Sequence, residues 1–511
     1  MMELLNRMQA LPRPKQSAYR KISGGLKMET QSVGKGQMKG STYLEPAREL
    51  PAAAYDVVVA GGGPAGFGAA LGAVRAGAKT LLIERNGFLG GTATAGLMAN
   101  LNITGEHLVG AAHDLLYRLA ERDGAWMGRV VTFSPEHMKQ AALEMLDEAG
   151  VDLLFYTMAS RPILEENRVR GLVVENKSGR QAFFSPVLVD CTGDADLAYR
   201  AGAPTVIGRE SDHKMRPFSV LFRMGNIDLK KVLEYVQAHP DQFNPDPYRN
   251  VVQPDRKVLR IEGFYDIMAA ARDRGELAKD IHYMRLEGID AANGTIFVNT
   301  VRVYGLDGSD AAQLTRGEIE CRRQMLQIAD VIRKYVPGCE RAFVIDSSVN
   351  IGVRETRRIL GEYIYDEVDA WNKVKHPDTV LHLWRRAALG SEMHSPDAGE
   401  GLRDADFYER QKRLNPGEVP PPPERDFYFP YRSLIPQKLD GMLVAGRSMS
   451  VTHMGDTWTR AIMIVMACGQ AAGVAGALAA RNGVGVRQVD AAQIRQVLAA
   501  QGADVGEAFT K

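Results

Sequence analysis

Short unbroken apolar runs predict buried strands, and apolar positions every three to four residues predict amphipathic helices. On that basis "YDVVVA", residues 55–60, is a buried strand running into glycines. "PAGFGAALGAVRAG", residues 64–77, is a small-residue helix closed by Gly77, and "KTLLIE", residues 79–84, is a second buried strand. Strand, helix and strand within about thirty residues make a βαβ unit. Helical patterns follow at 107–123 and 134–150; in the second, Ser134 can cap, Pro135 fits the first turn and Gly150 stops the helix. "VDLLFYT" reads as a strand. Residues 163–194 alternate and turn at Glu166-Asn167 and Ser178-Gly179, which predicts an antiparallel meander returning to a buried strand, "VLVDC".

From about Gly202 to Asp426 no βαβ rhythm is visible. "FVNTVRV" predicts a strand, and residues 314–338 a long amphipathic helix ended by Pro337-Gly338. "IGVRETRRILGEY" is read as helical, which sets Arg354 and Arg358 on one face and pairs Arg358 with Glu362. Residues 395–426 are rich in Pro, Gly and charge, with prolines at 420–423, and predict a loop of polyproline character. Residues 441–483 read strand, loop, long helix, and 491–501 a closing amphipathic helix. The fold class expected is α/β, with a parallel sheet, an antiparallel meander and an inserted α+β domain. The divisions expected are an extension at 1–42, a first domain at 43–201, an insertion at 202–426, a return to the first domain at 427–485, and a terminal helix and tail at 486–511.

Residues 461–480 carry no charge and reach the length of about 20 residues that a membrane span needs. The stretch is rich in Ala and Gly rather than Leu, so its tendency to insert is modest. Gly469, Gly473 and Gly476 would let it press on the helix after Gly66 or on the sheet behind it. A core helix is therefore expected, and no membrane partner.

Composition agrees. The chain has 511 residues, 45% hydrophobic and 24% charged, the make-up of an ordinary globular protein with room for several domains. A net charge of +1 gives no reason to expect a nucleic-acid partner. None of the four cysteines forms a CxxC pair, so no metal site is expected, and a reducing, cytoplasmic setting follows. Cys191 is assigned to packing. The first forty residues are basic and lack the apolar run of about 7–15 residues of a secretory signal, which predicts a flexible or surface-packed extension.

Gly61, Gly63 and Gly66 place GxGxxG between a strand and a helix. The first glycine makes the turn, the second admits a pyrophosphate, and the third lets helix and strand pack closely. The helix N-terminus offers free N–H groups to the phosphates. Glu84 ends the second strand, where a carboxylate accepts from a ribose diol and repels a 2′-phosphate. That favours FAD or NAD over NADP.

From about Tyr43 the chain resembles the FAD-dependent oxidoreductases, two-domain flavoproteins related to fumarate-reductase flavoproteins, amino-acid oxidases and aromatic hydroxylases. The resemblance rests on "EPARELPAAAYDVVVAGGGPAGFGAA", "ERNGFLGGTATAG", "VLVDCTGDADLAYRAGA", "IGVRETRRILGEYI", "YFPYRSLIP" and "GMLVAGRSMSVTH" with its following helix. It implies FAD as cofactor and a Rossmann-like FAD domain interrupted by a substrate or cap domain. Gly61, Gly63, Pro64, Ala65 and Gly66 would hold the pyrophosphate, and Glu84 the adenosine ribose. Arg85, Gly90, Gly91 and Thr92 would lie along the pyrophosphate, ribityl chain and flavin, and Ala159 against the adenine. Thr192, Gly193 and Asp194 match a second phosphate-side turn. Gly446 and Arg447 match the return strand at the ribityl chain, although several relatives carry an acid where Arg447 stands. Asp456 would contact the ribityl chain or partner His453. Arg460, Ala461, Ile462 and Met463 match a helix start whose N–H groups face the flavin's pyrimidine edge, where reduction places negative charge.

The resemblance makes His453 a candidate acid or base, or a fixer of its loop by hydrogen bonds. Arg354 is a candidate grip for a substrate carboxylate. Tyr431 and Arg432 are candidates for substrate contact or anchoring between domains, and Asn299 and His394 are weaker candidates. The activity expected is hydride transfer between a small organic substrate and flavin N5. No second GxGxxG unit occurs in the insertion, so a separate electron acceptor is one route out; a homo-oligomer stays open. The rivals are a flavin monooxygenase using NAD(P)H and oxygen, and a flavoprotein whose dinucleotide is structural and not redox-active.

Overall fold

The computed structural model describes residues 37–39, 41–101, 103, 107–127, 130–245, 251–252, 258–288, 293–384, 396 and 426–506. The basic N-terminal stretch, His394 and nearly all of the Pro-rich loop lie outside the described residues.

Five short strands form a parallel sheet: β1 (Val57–Ala60), β2 (Thr80–Ile83), β3 (Asp152–Leu154), β4 (Val187–Asp190) and β5 (Met442–Val444), in the order β5-β4-β1-β2-β3. Their unbroken apolar sequence follows from burial on both faces. Val57, Val59, Leu82, Val187 and Val189 point into one core, and Val58, Ala60, Leu81, Ile83 and Leu188 into another. The meander covers the second face. Its strands Met158–Glu165, Arg168–Asn176 and Gly179–Phe184 pair antiparallel as the alternation predicts. The chain reverses at the two expected places, with Glu166 and Gly179 at positive φ.

The first face is covered by α1 (Pro64–Arg75) and α2 (Ile462–Asn482). Glycine decides how closely they approach. A Cβ on Gly469 or Gly473 would collide with the backbone of Ala65 or Ala69, and a Cβ on Gly68 with that of Met466. A Cβ on Gly476 would stand 3.3 Å from Val187 of the sheet. The helix α2 is long and apolar enough to cross a membrane, but its apolar window is entirely buried in the protein, as expected of a core helix.

The insertion builds a second core, spanning Phe218 to Ile351. Its antiparallel sheet has the order 251–252, 259–263, 284–288, 296–298, 222–225, 343–347. The long helix Ala311–Tyr335 packs on it, capped by Asp310, which accepts from the Gln313 N–H at 2.8 Å.

Tyr365 and the strand Thr379–Trp384, paired with Asp426–Pro430, pack in the core shared with α1 and α2, as do Phe427 and Phe429. One expectation is corrected here: "IGVRETRRIL" is extended, not helical. Gly352 bridges Ser219, and Arg357–Ile359 pairs with Thr205–Ile207. These strands carry the chain between the two cores, and pairing across them overrides local helix propensity. Arg358 therefore does not meet Glu362, which pairs with Arg487 instead.

Candidate active site

The glycine turn after β1 is built as its sequence demands. Gly61 has φ +101°, a conformation that favours glycine, and a Cβ on Gly66 would collide with the Gly61 carbonyl. Gly63 differs: the nearest atom to its Cβ position is the Gly91 Cα at 3.9 Å. The chain thus keeps glycine where nothing of its own fills the space, beside the N-terminus of α1, which is left without a side-chain cap. A phosphate fits that cradle.

Other expected cofactor residues converge on it. The Glu84 carboxylate accepts from the Gly62 N–H at 2.6 Å and from the Asn86 N–H at 2.7 Å, which locks the turn to the end of β2. The Gly90 N–H donates to the Gly62 carbonyl at 2.9 Å, so the turn Gly90–Thr92 lies against Gly62 and Gly63. A Cβ on Gly446, which has φ +112°, would stand 3.5 Å from the Ala65 side chain. Ala159 begins the meander just after Thr157, whose N–H donates to the Glu84 carbonyl, and Arg85 is exposed at the end of β2.

The turn after β4 is held by a residue that sequence reading passed over. Asp190 is fully buried, which pushes its carboxyl up, yet it accepts from Thr192 N–H (3.0 Å) and Oγ1 (2.7 Å), Leu197 N–H (2.9 Å) and Ala198 N–H (3.0 Å). Asp194, two residues past Thr192, accepts from Arg447 Nη2 and Thr356 Oγ1, each at 2.6 Å. Burial opposes its charge, but Arg447 and Thr356 hold its carboxyl below the usual carboxylate value. The acid missing after Gly446 is thus matched by one from the neighbouring turn, paired with Arg447 over Gly193.

Gly469 and Gly473 of α2 meet Ala65 and Ala69, and Gly68 and Gly72 of α1 meet Met466 and Gln470, so α1 and α2 run parallel. Counting back from both sets of contacts, α2 starts roughly 5 Å further out than α1. Its N-cap, Ala461, has no side-chain cap either, as is also true of Val109, Ala195 and Phe264, whereas Ser134, Asp228, Asp310, Thr452 and Asp490 each cap their helices. Two uncapped N-termini therefore point the same way, one beyond the other, and Ala461, Ile462 and Met463 supply the outer one.

Beside that outer end lies a buried charge network. His453, 1% exposed, has Nδ1 at 2.8 Å from Glu355 Oε1. Burial opposes the Glu355 charge, but His453, Arg216 and Arg358 hold its carboxyl below the ordinary value. An ionised carboxylate only accepts, so Nδ1 carries the proton. Arg358 also binds Glu355, and donates to the carbonyls of Val451 (2.9 Å) and Gly208 (2.8 Å). Arg216 donates to the His453 carbonyl at 2.6 Å and lies 3.3 Å from Asp456. Asp456 also faces Arg460 at 3.6 Å, and burial pushes its carboxyl up despite both arginines. Arg354 donates to the Pro217 carbonyl. Burial, and then the like charges of Arg302 and Arg460, drive its guanidinium pKa well below the ordinary value.

The contacts of Tyr431 and Arg432 match the anchoring alternative. Tyr431 is buried and its hydroxyl donates to the Val486 carbonyl at 2.8 Å, so it anchors the C-terminal segment. Arg432 is half-buried, pairs with Asp378 at 3.1 Å and lies over the Tyr363 ring. Asn299 is buried with its Nδ2 at 3.9 Å from Met98 Sδ. Cys191 is buried, and burial pushes its thiol up, as suits packing. Arg216, Arg302 and Glu210 were not singled out from sequence. Arg302 alone left a signal there: a charge inside the apolar run "FVNTVRV".

A family model described as FAD dependent oxidoreductase matches residues 56–498. The chain is 35% identical over 120 residues to a thiamine thiazole synthase of Aeropyrum pernix, covering 23% of this chain and 43% of that protein. It is 30% identical over 173 residues to a digeranylgeranylglycerophospholipid reductase of Methanoculleus marisnigri, covering 30% of this chain and 42% of that one. The aligned stretches span less than half of either relative. Among solved structures, a geranylgeranyl bacteriochlorophyll reductase-like protein of Thermoplasma acidophilum superposes with a TM-score of 0.44 at 13% identity, covering 88% of this chain and 82% of that one. A flavin-dependent brominase gives 0.44 at 14% identity, covering 88% and 83%.

Proposed function

The chain belongs to the FAD dependent oxidoreductase family, and from that premise we propose that it moves a hydride between a small organic substrate and its flavin. The protein is an enzyme and its cofactor is FAD. Bound FAD supplies a ring nitrogen, N5, that gives or takes the hydride.

The observation that carries the reading is the pair of parallel, uncapped helix N-termini, one roughly 5 Å beyond the other. The inner one, with Gly63 open beside it, suits the pyrophosphate. The outer one offers free N–H groups and partial positive charge, the arrangement that favours a ring accepting electrons. Glu84 keeps lone pairs for the adenosine ribose beyond those spent on Gly62 and Asn86. Asp194 and Arg447, locked together, would border the ribityl chain. His453 serves as a positioning residue: tied to Glu355, and with its backbone N–H on Glu210 at 2.8 Å, it fixes the short helix that leads to Arg460.

The test is to purify the protein with its flavin and screen metabolites without oxygen for bleaching of the flavin spectrum. Bleaching by one substrate class, reversed by an acceptor, is the result expected. Flavin that neither dithionite, light nor any metabolite reduces would make the dinucleotide structural and sink the proposal. Oxygen uptake coupled to NAD(P)H would replace it with a monooxygenase.

A further inference from the structure

Three stretches of chain cross side by side between the two cores. Phe218 bridges Val303, and Ser219 bridges Gly352. The crossing therefore brings together Arg216, Arg302 and Arg354, each next to or within two residues of a bridged position. Arg460, before α2, joins this group through Asp456, which it shares with Arg216. Arg358 is buried close by.

The charges do not cancel. Arg216 is matched by Glu355 and Asp456, Arg358 by Glu355 and Glu210, and Arg460 by Asp456. Arg302 and Arg354 have no carboxylate partner among the described residues. Arg302, 5% exposed, donates to the Val301 carbonyl at 2.7 Å and reaches the Tyr283 hydroxyl at 3.4 Å. Among the described residues, Arg354 donates to the Pro217 carbonyl alone. Arg302 is buried and Arg354 partly buried; cations drawn from water without counter-charge are costly, and arginine does not shed its proton in a protein. Two such guanidiniums carried by neighbouring strands are explained by an anion that joins them. A carboxylate matches their planar forks best.

We propose that Arg302 and Arg354 together bind a carboxylate group of the substrate at the crossing between the two cores, beside the outer helix N-terminus. This rests on the oxidoreductase reading above, and adds to it the substrate class: small organic acids. Arg302 and Arg354 set specificity, while Arg460, closer to the cofactor and paired with Asp456, belongs to the flavin end.

The holoenzyme is titrated with a panel of mono- and dicarboxylates, from acetate and benzoate to succinate and citrate, with matched amides and inorganic phosphate as controls. Saturable change in the flavin spectrum by at least one carboxylate, and none by its amide, is expected. Arg302→Met and Arg354→Met should each weaken that binding by about tenfold or more with flavin content unchanged. A second readout needs no variant. In the wild-type protein the bound carboxylate should shield Arg302 and Arg354 from phenylglyoxal, read by peptide mass spectrometry. Absence of carboxylate binding, phosphate binding in its place, or binding with both arginines still freely modified overturns the proposal. Photoreduction of the flavin in the same preparation reports on the redox reading separately, so the two can fail independently.

Discussion

The dinucleotide cradle and the arginine crossing lie near each other but are made of opposite materials. The cradle is backbone: three glycines, two free helix ends, and carboxylates that tie turns to strands. The crossing is side chains: five arginines against Glu355, Asp456 and Glu210, carried by segments far apart in sequence. A backbone site fails when a methyl is added, whereas a side-chain site fails when a charge is removed.

That contrast can be broken experimentally, in order of the effect on the folded chain. Arg358→Met should cost most. It takes a fully buried guanidinium from Glu355 and two carbonyls, and removing one partner of a buried pair typically costs ~3–5 kcal/mol. Denaturant unfolding reads it; a variant as stable as its parent would show that the network is not structural. Gly66→Ala should come next, losing roughly 1–3 kcal/mol to overpacking against Gly61, along with the flavin. Its counterpart Gly63→Ala meets nothing closer than 3.9 Å, so the flavin-free protein should melt within the ~0.5 kcal/mol of a neutral change while FAD affinity falls. If Gly63→Ala retained FAD normally, the pyrophosphate would not lie there. Glu84→Ala should weaken FAD retention by about tenfold or more, measured by flavin released on dialysis; full occupancy with unchanged affinity would count against the cofactor assignment.

The smallest effect is one of pH. Arg447 and Thr356 lower the Asp194 carboxyl below its ordinary value of 3.8. A lowered folded-state pKa contributes stability above the unfolded value and loses it as pH falls through the folded one. The gap in melting temperature between wild type and Asp194→Asn should therefore be constant near neutrality and close below about pH 4. A gap that persisted at lower pH would mean that the Asp194–Arg447 pair is not what stabilises the turn.

Legibility followed the same division. The βαβ unit, the meander with both its turns, the Ser134 cap and the Gly150 stop could all be read along the chain, because each depends on a window of ten or fifteen residues. The extended "IGVRETRR" could not. Its local pattern suits a helix, and it becomes strand only because Thr205–Ile207 and Ser219 lie beside it. Tyr431 looked like a site residue because its motif lies near the return strand, yet its hydroxyl is spent on Val486. Asp190 was missed because a buried acid at the end of an apolar strand looks like a strand end, not like an acceptor for four donors.

Spacing alone was enough to specify the turn at Gly61 and the close approach at Gly66, since each acts through φ or the room left by a missing Cβ, properties of the residue and its immediate neighbours. It also specified that 461–480 is an uncharged helix. Whether such a helix crosses a lipid bilayer or lies in a protein core is a matter of what surrounds it, and α1 and the sheet settle it through glycine contacts no local pattern encodes. The same holds for charge. Net charge is near zero along the chain, yet folding gathers Arg216, Arg302, Arg354 and Arg460 from four distant segments into one crossing. An electrostatic field depends on distance in space, and that distance exists only once the two cores have packed.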